Sequence, residues 1–423
     1  MKTSCFWTDD YPRPADLPAG DLPRGTDVLV IGGGITGLTA ARLLARAGVA
    51  TVVVETTGFG EGASARNGGM AIYGLKAEAE TVIKRFGERL GRELWSASNA
   101  AIDRIEETIT EEGISCDFTR PGSAELGFTR RDDRMLAGYA RWTASELGFP
   151  IEYVPRERLG EVVGSDRFSM ALIENVSAGL HPAKYTFGLA AVAARAGTVL
   201  VEHAEVTGVE QESGHFSVAT SRGRISAGRI LVATNGYTGT LFPSIRRGVV
   251  PIGSYSVVTE PLPAALAEEI LPGNRMVWTA RRLLNYFRRT PDNRILMGGR
   301  RNLQTDLDPV DSARELSGRL TEFFPQLQPY EVSHVWGGKL GVTFDLLPHI
   351  GQRDGIWYAM GYGGHGVPLA TYVGSDVGRL MTGELDRSPF AEIAHPKRWF
   401  YRTNPWFLPL AAVAYRTLDR FGR

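Results

Sequence analysis

A glycine-rich turn between a predicted strand and a predicted helix constrains the fold of this chain more than any other feature of its sequence. Residues 26–31 (TDVLVI) form a short, β-branched apolar run, which predicts a strand buried on both faces. Residues 32–37 (GGGITG) follow, and apolar residues then recur at three- and four-residue steps as far as Gly48, which predicts a helix with a glycine cap. Residues 51–55 (TVVVE) predict a second strand, so the segment predicts a βαβ unit of a parallel sheet.

The glycines of this unit fit GxGxxG, the pattern of a dinucleotide-binding turn. Gly32 permits the tight turn, Gly34 lets a pyrophosphate approach the backbone, and Gly37 lets the helix pack closely on the strand. The first helical residues, Ile35 and Thr36, present their N–H groups to the phosphate charge. The alternative, a glycine-rich turn without a ligand, explains less because the whole unit is in place.

Glu55 ends the second predicted strand, 18 residues after Gly37. An acidic residue at this position can accept hydrogen bonds from ribose hydroxyls, and the alternative is a solvated carboxylate at a strand end. The unit therefore predicts a bound dinucleotide, and these features alone do not separate FAD from NAD.

Three later segments of the sequence are also predicted to contact the dinucleotide. Residues 62–69 (GASARNGG) offer N–H groups, a hydroxyl, a guanidinium and an amide to an extended anionic ligand, with a plain Asn-Gly turn as the alternative. A predicted strand at 225–232 runs into ATNGY, and residues 361–366 (GYGGHG) open the predicted last helix, whose positive end can face a flavin edge. The alternatives are an ordinary turn and a flexible glycine loop. The cofactor-binding residues predicted beyond the first unit are Ser64, Arg66, Asn67, Gly68, Gly69, Val206, Ala233, Thr234, Gly236, Gly361, Gly363, Gly364, His365, Gly366 and Val367.

Composition excludes several other classes of protein. Lys+Arg and Asp+Glu are both 47, so bulk charge does not hold nucleic acid or an anionic membrane. Two cysteines, Cys5 and Cys116, cannot make a disulfide framework. The N-terminal residues lack the apolar core of a secretory signal, and no apolar run reaches the ~18 residues that span a bilayer. We therefore expect a cytoplasmic protein. No His cluster has metal-ligand spacing, so no metal site is predicted.

The motifs occur in order along nearly the whole chain, and together they resemble a known family. The sequence is similar to the FAD-dependent amino acid/amine oxidase family that contains D-amino acid oxidase, glycine oxidase and sarcosine oxidase, and most of all to its gamma-glutamylputrescine oxidases. The segments that carry the resemblance are VIGGGITGLTAARLLARAG, VVVE, GASARNGG, LHPAKY, LVATNGYTGTLFP, VVPIGSYSVVTEPL, LNYFRRTPDNRILMGGR, WGGKLGVTFDLLPHIG and GYGGHGV.

The resemblance implies an α/β fold with two domains. A Rossmann-like FAD-binding domain of the glutathione-reductase type would be discontinuous, comprising residues 1–80, 180–245 and 335–423. A strand-rich α+β substrate-binding domain would comprise residues 81–179 and 246–334. Sarcosine oxidase relatives hold FAD through a cysteine in the C-terminal third, and this chain has no cysteine beyond Cys116. Non-covalent FAD is therefore expected.

The resemblance also implies oxidative deamination of a small amine or amino acid. A hydride would leave the carbon next to the amine for the flavin, which oxygen would reoxidise with release of hydrogen peroxide. One alternative is a dehydrogenase of the same fold that passes electrons to a quinone or another acceptor. Another is a flavin-bearing subunit without turnover. The substrate itself is not predicted.

The residues predicted for this chemistry lie late in the chain. Lys339 and His365 are the candidate catalytic residues, as a positive charge near the flavin and as a group at its edge or in the substrate pocket. The predicted substrate-binding residues are Tyr255, Tyr286, Arg288, Trp336 and Tyr362. The alternatives are an exposed lysine, a structural histidine, and strand or core side chains. Residues 399–421 are apolar and aromatic with arginines, and we expect them to pack on the protein body, with a membrane surface or partner as the alternative.

Overall fold

The structure is a computed structural model that describes residues 1–300, 302–402 and 404–421, without the side chains of residues 420 and 421. Its helices are α1 (Phe6–Asp10), α2 (Ile35–Arg46), α3 (Ala63–Arg66), α4 (Ala79–Glu112), α5 (Arg130–Leu147), α6 (Pro182–Arg195), α7 (Pro243–Arg246), α8 (Ala264–Ile270), α9 (Pro309–Phe323), α10 (Gly366–Thr382), α11 (Pro389–Glu392) and α12 (Leu408–Phe421). Its strands are β1 (Gly25–Ile31), β2 (Thr51–Val54), β3 (Met70–Ala71), β4 (Ser123–Gly127), β5 (Glu152–Pro155), β6 (Met170–Glu174), β7 (Ala178–Gly179), β8 (Val199–Val201), β9 (Val206–Glu212), β10 (His215–Thr220), β11 (Gly223–Val232), β12 (Val250–Thr259), β13 (Met276–Thr279), β14 (Asn285–Arg289), β15 (Ile295–Gly299), β16 (Val332–Val342), β17 (His349–Arg353) and β18 (Ile356–Met360). Short 3₁₀ turns lie at Arg156–Glu161, Asn235–Tyr237, Pro272–Asn274 and Pro325–Leu327.

The first sheet contains the predicted βαβ unit. Its strands run in the order β17-β18-β11-β1-β2-β8, and β10 and β9 extend it from β11. β1 pairs in parallel with both β2 and β11, so Val30 lies between Val53 and Leu231. The side chains of Val28, Val30 and Val53 are fully buried, as a parallel strand covered on both faces requires.

The second sheet is mixed and strand-rich. Its order is β16-β12-β15-β14-β13-β4-β6-β5, and β13 pairs with β4 in parallel while the other pairs are antiparallel. The predicted boundary between residues 334 and 335 falls inside β16, which pairs with β12 from residue 332 to residue 342. Because β16 pairs with β12 along its whole length, we propose that the boundary lies after β16. The rest of the division into domains stays a prediction.

Helices α2 and α10 pack against each other closely enough that small residues are required at their contact. A Cβ atom at Gly374 of α10 would lie 2.7 Å from the carbonyl oxygen of Thr36 on α2. At Gly378 the same atom would lie 3.2 Å from the carbonyl oxygen of Ala40. The close approach brings the first turns of both helices to the same side of the first sheet.

Two other predictions differ in detail from the structure. The charge-rich stretch from residue 78 forms one long helix, α4, which kinks at Gly87 where φ is 80°. The helix expected from residue 185 begins at Pro182, because the ring of His181 accepts a hydrogen bond from Lys184 N–H and caps it. Within the described residues, no helix combines the length and the apolar character needed to cross a bilayer.

The C-terminal segment packs on the second sheet. Tyr401, Leu408 and Ala412 form a buried cluster with residues that include Val250 and Leu283. One face of the C-terminal segment therefore packs on the protein body, as the sequence predicts. Residue 403, inside that segment, lies outside the described residues.

Candidate active site

A cavity of about 820 Å³ extends from the first sheet to the second. That volume lies near the upper end of the ~300–1,000 Å³ that ligand sites occupy. On the side of the first sheet its wall is made by the turns after β1, β2 and β11, by residues 60–68 and by the start of α10. On the side of the second sheet it is lined by residues of β12, β13, β14 and β16 and by the loop that follows β13.

The turn after β1 is built so that only glycine fits. A Cβ at Gly37 would lie 2.1 Å from the carbonyl oxygen of Gly32, which itself has φ of 108°. A Cβ at Gly34 would lie 2.7 Å from Ser64 Oγ. The backbone is therefore bare where it faces the cavity, and the first-turn N–H groups of α2 have no acceptor within the helix. Such a cradle fits a pyrophosphate.

Glu55 lies in the cavity wall and is already fixed by the turn. Its Oε2 accepts a hydrogen bond from Gly33 N–H at 2.8 Å, and its Oε1 accepts from Thr57 N–H at 3.3 Å and from Thr57 Oγ1 at 3.5 Å. A carboxylate has about four acceptor positions, so at least one remains for a ribose hydroxyl. The position and the remaining capacity of this side chain fit the predicted role.

The backbone of residues 65–67 is fixed by side chains that do not themselves line the cavity. Cys5 Sγ lies 3.6 Å from the carbonyl oxygen of Ala65, Trp336 Nε1 donates to that of Arg66 at 2.8 Å, and Trp7 Nε1 donates to that of Asn67 at 2.8 Å. Trp336 is 1% exposed and does not line the cavity. It therefore anchors this loop, and its predicted place in the substrate wall is wrong.

Asn67 is used inside the same loop. Its Nδ2 donates to the carbonyl oxygens of Ser64 at 2.6 Å and Ala63 at 3.2 Å, and its Oδ1 accepts from Gly69 N–H at 2.8 Å. The amide therefore shapes the turn, so its side chain is not free to bind a ligand. Ser64 Oγ accepts from Ile35 N–H at 3.0 Å, which joins this loop to the first turn of α2.

The start of α10 forms the opposite wall. Tyr362 OH and Thr36 Oγ1 are 2.6 Å apart, so the residues before α10 are hydrogen-bonded to the first turn of α2. His365 is the N-cap of α10, yet its side chain makes no capping hydrogen bond, and its Nδ1 has no partner among the described residues. Burial, assisted by Lys76 and Arg300, lowers the pKa of His365 to about 3. The ring is therefore neutral at pH 7 and offers hydrogen bonds, not charge.

Strand alternation decides which predicted substrate residues reach the cavity. On β12, Ser254 and Ser256 line it, so Tyr255 between them points into the buried cluster on the other face of the second sheet. There its hydroxyl donates to the carbonyl oxygen of Thr305 and accepts from Leu307 N–H. On β16, Gly338 and Leu340 line the cavity, and Lys339 between them is directed away, with its ammonium 3.6 Å from Asp306. Neither Tyr255 nor Lys339 lines the cavity, contrary to the sequence prediction.

Tyr286 and Arg288 share a face of β14, as predicted, but only Tyr286 reaches the cavity. Its hydroxyl lies 3.2 Å from Ser256 Oγ. Arg288 is 2% exposed, and its Nη1 donates to the carbonyl oxygens of Gly69 at 2.6 Å and Leu180 at 2.9 Å. Burial lowers the pKa of Arg288 to about 10, which leaves it charged. It ties the second sheet to the backbone beside the loop and does not line the cavity.

Most predicted cofactor-binding residues come together along this one cavity. Those that line it are Gly32, Gly34, Ile35, Thr36, Glu55, Ser64, Arg66, Asn67, Gly68, Ala233, Thr234, Gly363, Gly364, His365, Gly366 and Val367. Those that do not are Gly37, Gly69, Val206, Gly236 and Gly361, and Ala204 and Glu205 line it where Val206 was expected. The glycines among the residues that do not line the cavity allow neighbouring segments to pack closely outside its wall. A Cβ would lie 2.7 Å from the backbone of Leu340 at Gly236 and 2.4 Å from Thr343 at Gly361.

Sequence reasoning missed the residues at the second-sheet end of the cavity. Arg300, Lys76 and Glu125 line it, together with Tyr73, Trp95, Tyr139 and Trp278. Arg300 is half-buried, and it makes no hydrogen bond or ion pair with the described residues. The two glycines before Arg300 gave no signal for it, because they make room for Tyr286 and Asn285 on the neighbouring strand. The aromatic residues gave none, since they come from separate elements.

The fold and the site define a dinucleotide-binding enzyme with a second, polar and aromatic compartment beside the nucleotide cradle. The described part of the chain holds no group of three or more His, Cys, Asp or Glu side chains placed to bind a metal ion. A family model described as DAO, FAD dependent oxidoreductase, matches residues 27–380. The chain belongs to this family, and its cofactor is FAD.

Individual relatives agree with the family. The chain is 33% identical over 404 residues to the probable oxidoreductase OrdL of Rhizobium meliloti (strain 1021), covering 94% of this chain and 93% of that protein. It is 32% identical over 407 residues to the gamma-glutamylputrescine oxidoreductase of Escherichia coli (strain K12), with the same coverage. The crystal structure of glycine oxidase from Geobacillus kaustophilus matches with a TM-score of 0.76 at 20% identity, covering 88% of this chain and 100% of that one. The protein is thus an FAD-dependent oxidoreductase of the amine and amino acid oxidase family, as the resemblance implies.

Proposed function

We propose that this protein catalyses the oxidative deamination of a small amine or amino acid, with oxygen as the acceptor and hydrogen peroxide as a product. The observation that carries the proposal is one continuous cavity. It joins the glycine cradle of α2 to a compartment that holds a guanidinium and several aromatic rings. The name of the E. coli relative, gamma-glutamylputrescine oxidoreductase, supports an amine as the substrate.

The residues that would hold FAD are those of the first-sheet wall. The N–H group of Thr36 would face the pyrophosphate, Glu55 would accept from the ribose, and the start of α10 would face the flavin ring. When bound, FAD supplies the hydride acceptor for oxidation of the carbon next to the amine. Ser64 and Arg66 would follow the cofactor along the loop that Trp7 and Trp336 hold from behind.

The residues of the second-sheet wall would bind and orient the substrate. Arg300 and Arg281 both line this end of the cavity, and Arg281 is already bonded to the Asp419 carbonyl oxygen. We therefore propose that Arg300 binds an anionic group of the substrate. Tyr286 would support that group through its hydroxyl, held by Ser256. The rings of Tyr73, Trp278 and Tyr139 would exclude water, which strengthens the electrostatic contacts inside. This assignment replaces the fork that the sequence placed at Arg288.

An anaerobic panel of amines and amino acids tests the proposal on the purified holoenzyme. A substrate should bleach the flavin absorbance, and readmitted air should restore the colour with release of hydrogen peroxide. Bleaching without peroxide would overturn oxygen as the acceptor and favour the dehydrogenase alternative. No bleaching by any member of the panel would overturn the catalytic proposal.

Arg300→Met tests the substrate assignment. A hydrogen bond to a charged group contributes ~1.5–3 kcal/mol, so KM for a substrate with a carboxylate should rise roughly 10- to 150-fold. The value for an uncharged amine should change little. Arg289→Met is the matched control, because Arg289 lies on β14 and pairs with Glu268 outside the cavity. Equal KM changes for both substrates would remove Arg300 from the binding site.

A further inference from the structure

Exposed apolar side chains are concentrated at one place on this protein. Ten large apolar side chains are exposed in the described part of the chain, and half of them belong to residues 399–418. These are Trp399, Trp406, Leu410, Val413 and Leu418, and Trp399 is 91% exposed. Scattered exposed apolar residues are normal, but their concentration in one segment indicates a binding surface.

We call these five side chains the aromatic ridge. The rings of Trp399 and Trp406 flank Phe400, with centroid distances of 5.8 and 6.5 Å. On α12, Leu410 and Val413 are three residues apart and share one side of the helix, and Leu418 lies about 80° around the axis from Leu410. The opposite side of α12 is already used, because Leu408 and Ala412 are buried against the second sheet. The ridge is therefore not the packing face of the helix.

The ridge carries an excess of positive charge. Residues 397–418 contain four basic residues and no acidic one, in a chain whose net charge is zero. Lys397, Arg398 and Arg402 are exposed beside the tryptophans. A net charge of zero excludes binding through the charge of the whole protein, but it is compatible with a local excess of positive charge.

We propose that the aromatic ridge docks the protein on the surface of an anionic lipid bilayer. Tryptophan side chains favour the boundary between headgroups and acyl chains, and basic residues beside them are attracted to anionic headgroups. An amphipathic helix that lies in this boundary buries its apolar face without crossing the bilayer. A second copy of the chain fits less well, because a two-fold contact would bring the same basic residues of both copies together. The inference does not depend on the proposed reaction.

The docking segment is connected to the wall of the cavity. Asp419, in the last turn of α12, accepts hydrogen bonds from Arg282 N–H at 2.9 Å and Leu283 N–H at 3.1 Å. Arg281 Nη1 donates to the carbonyl oxygen of Asp419 at 3.0 Å. Arg281 and Leu284 of this loop line the cavity. A docked protein would therefore hold the substrate end of its cavity close to the lipid surface.

Co-sedimentation with vesicles tests the proposal on the full-length holoenzyme. We expect binding to vesicles of phosphatidylcholine with phosphatidylglycerol, weak binding to phosphatidylcholine alone, and release by high salt. Trp406→Ser and Leu410→Ser should each lower the partition coefficient about tenfold, because each removes a large apolar side chain from the bilayer. Arg398→Gln and Arg402→Gln should each lower it about fivefold, and only for anionic vesicles.

Two matched controls distinguish binding by the aromatic ridge from non-specific hydrophobic binding. Tyr153→Ser and Val310→Ser remove exposed apolar side chains on other elements, and they should bind like the parent. The FAD absorbance of every variant should equal that of the parent, because none of the replaced side chains lines the cavity. No binding to anionic vesicles, or equal binding by ridge and control variants, would overturn the proposal. So would a dimer in solution that Trp406→Ser converts to a monomer, which would assign the ridge to a second copy.

Discussion

Replacement of Glu55 gives the most direct test of the nucleotide end of the cavity, because the structure shows which of its acceptor positions are already used. The carboxylate accepts from Gly33 N–H at 2.8 Å, from Thr57 N–H at 3.3 Å and from Thr57 Oγ1 at 3.5 Å, which leaves at least one position for an FAD ribose hydroxyl. Hydrogen bonds to a charged acceptor contribute ~1.5–3 kcal/mol each. Glu55→Ala loses the ribose bond and the Gly33 bond that holds the turn, and it should weaken FAD binding by ~3 kcal/mol, or roughly 100-fold.

Glu55→Gln should fall between the parent and Glu55→Ala. Its amide oxygen can still accept from Gly33 N–H, but its amino group cannot accept from ribose, so a loss of about tenfold is expected. The dissociation constants follow from titration of the apoprotein with FAD, read by quenching of flavin fluorescence. Glu210→Ala, an exposed glutamate on β9, is the control. An alanine variant that binds FAD as tightly as the parent would refute the reasoning and remove Glu55 from the site.

Three further predictions concern the cofactor, the oxygen reaction and the pH dependence of stability. Cys5 and Cys116 are buried away from the cavity, so acid precipitation of the yellow protein should leave the colour in the supernatant; colour in the pellet would contradict non-covalent FAD. Lys76 lines the cavity whereas Lys339 does not, so Lys76→Met should slow the oxygen reaction ~10²–10³-fold in stopped-flow measurements. Lys339→Met should change neither half-reaction appreciably, and the reverse order of effects would restore Lys339 to the site. Burial raises the pKa of Asp376 from 3.8 to about 6, so the folded state binds its proton more tightly than the unfolded state does. The free energy of unfolding of the parent should therefore fall by ~2 kcal/mol relative to Asp376→Asn as pH rises from about 4 to about 6. Denaturant titrations across this range measure that difference, and parallel curves would show that Asp376 is not perturbed.

The substrate end of the cavity shows why strand residues are hard to assign from sequence. A period of two says which residues share a face, and it placed Tyr286 and Arg288 together correctly. It does not say which face meets the cavity, so Tyr255 and Lys339 were assigned to the wrong side of their strands. Nor does it say how deeply a side chain is buried. The guanidinium of Arg288 donates to the backbone carbonyl oxygens of Gly69 and Leu180 and does not enter the cavity.

The sequence alone determined the nucleotide end of this protein. The turn at residues 32–37, the carboxylate at Glu55 and the loop at residues 62–69 carry their chemistry in local backbone geometry. A Gly pattern between a strand and a helix permits few conformations, so spacing is enough to predict the ligand class. The family resemblance added FAD and membership of the amine and amino acid oxidase family, and the family model and the named relatives confirm both.

Only the tertiary structure decided the substrate end. Arg300, Lys76 and Tyr139 come from three distant parts of the chain, and no spacing rule relates them. Trp7 and Trp336 are far apart in the sequence, yet their indole N–H groups donate to the same loop. No local sequence pattern indicates that they meet there. The two faces of α12 were also equivalent in the sequence, until packing on the second sheet buried Leu408 and left Leu410 in solvent. Contacts between distant segments depend on how complete elements pack, and that information is not present in any one of them.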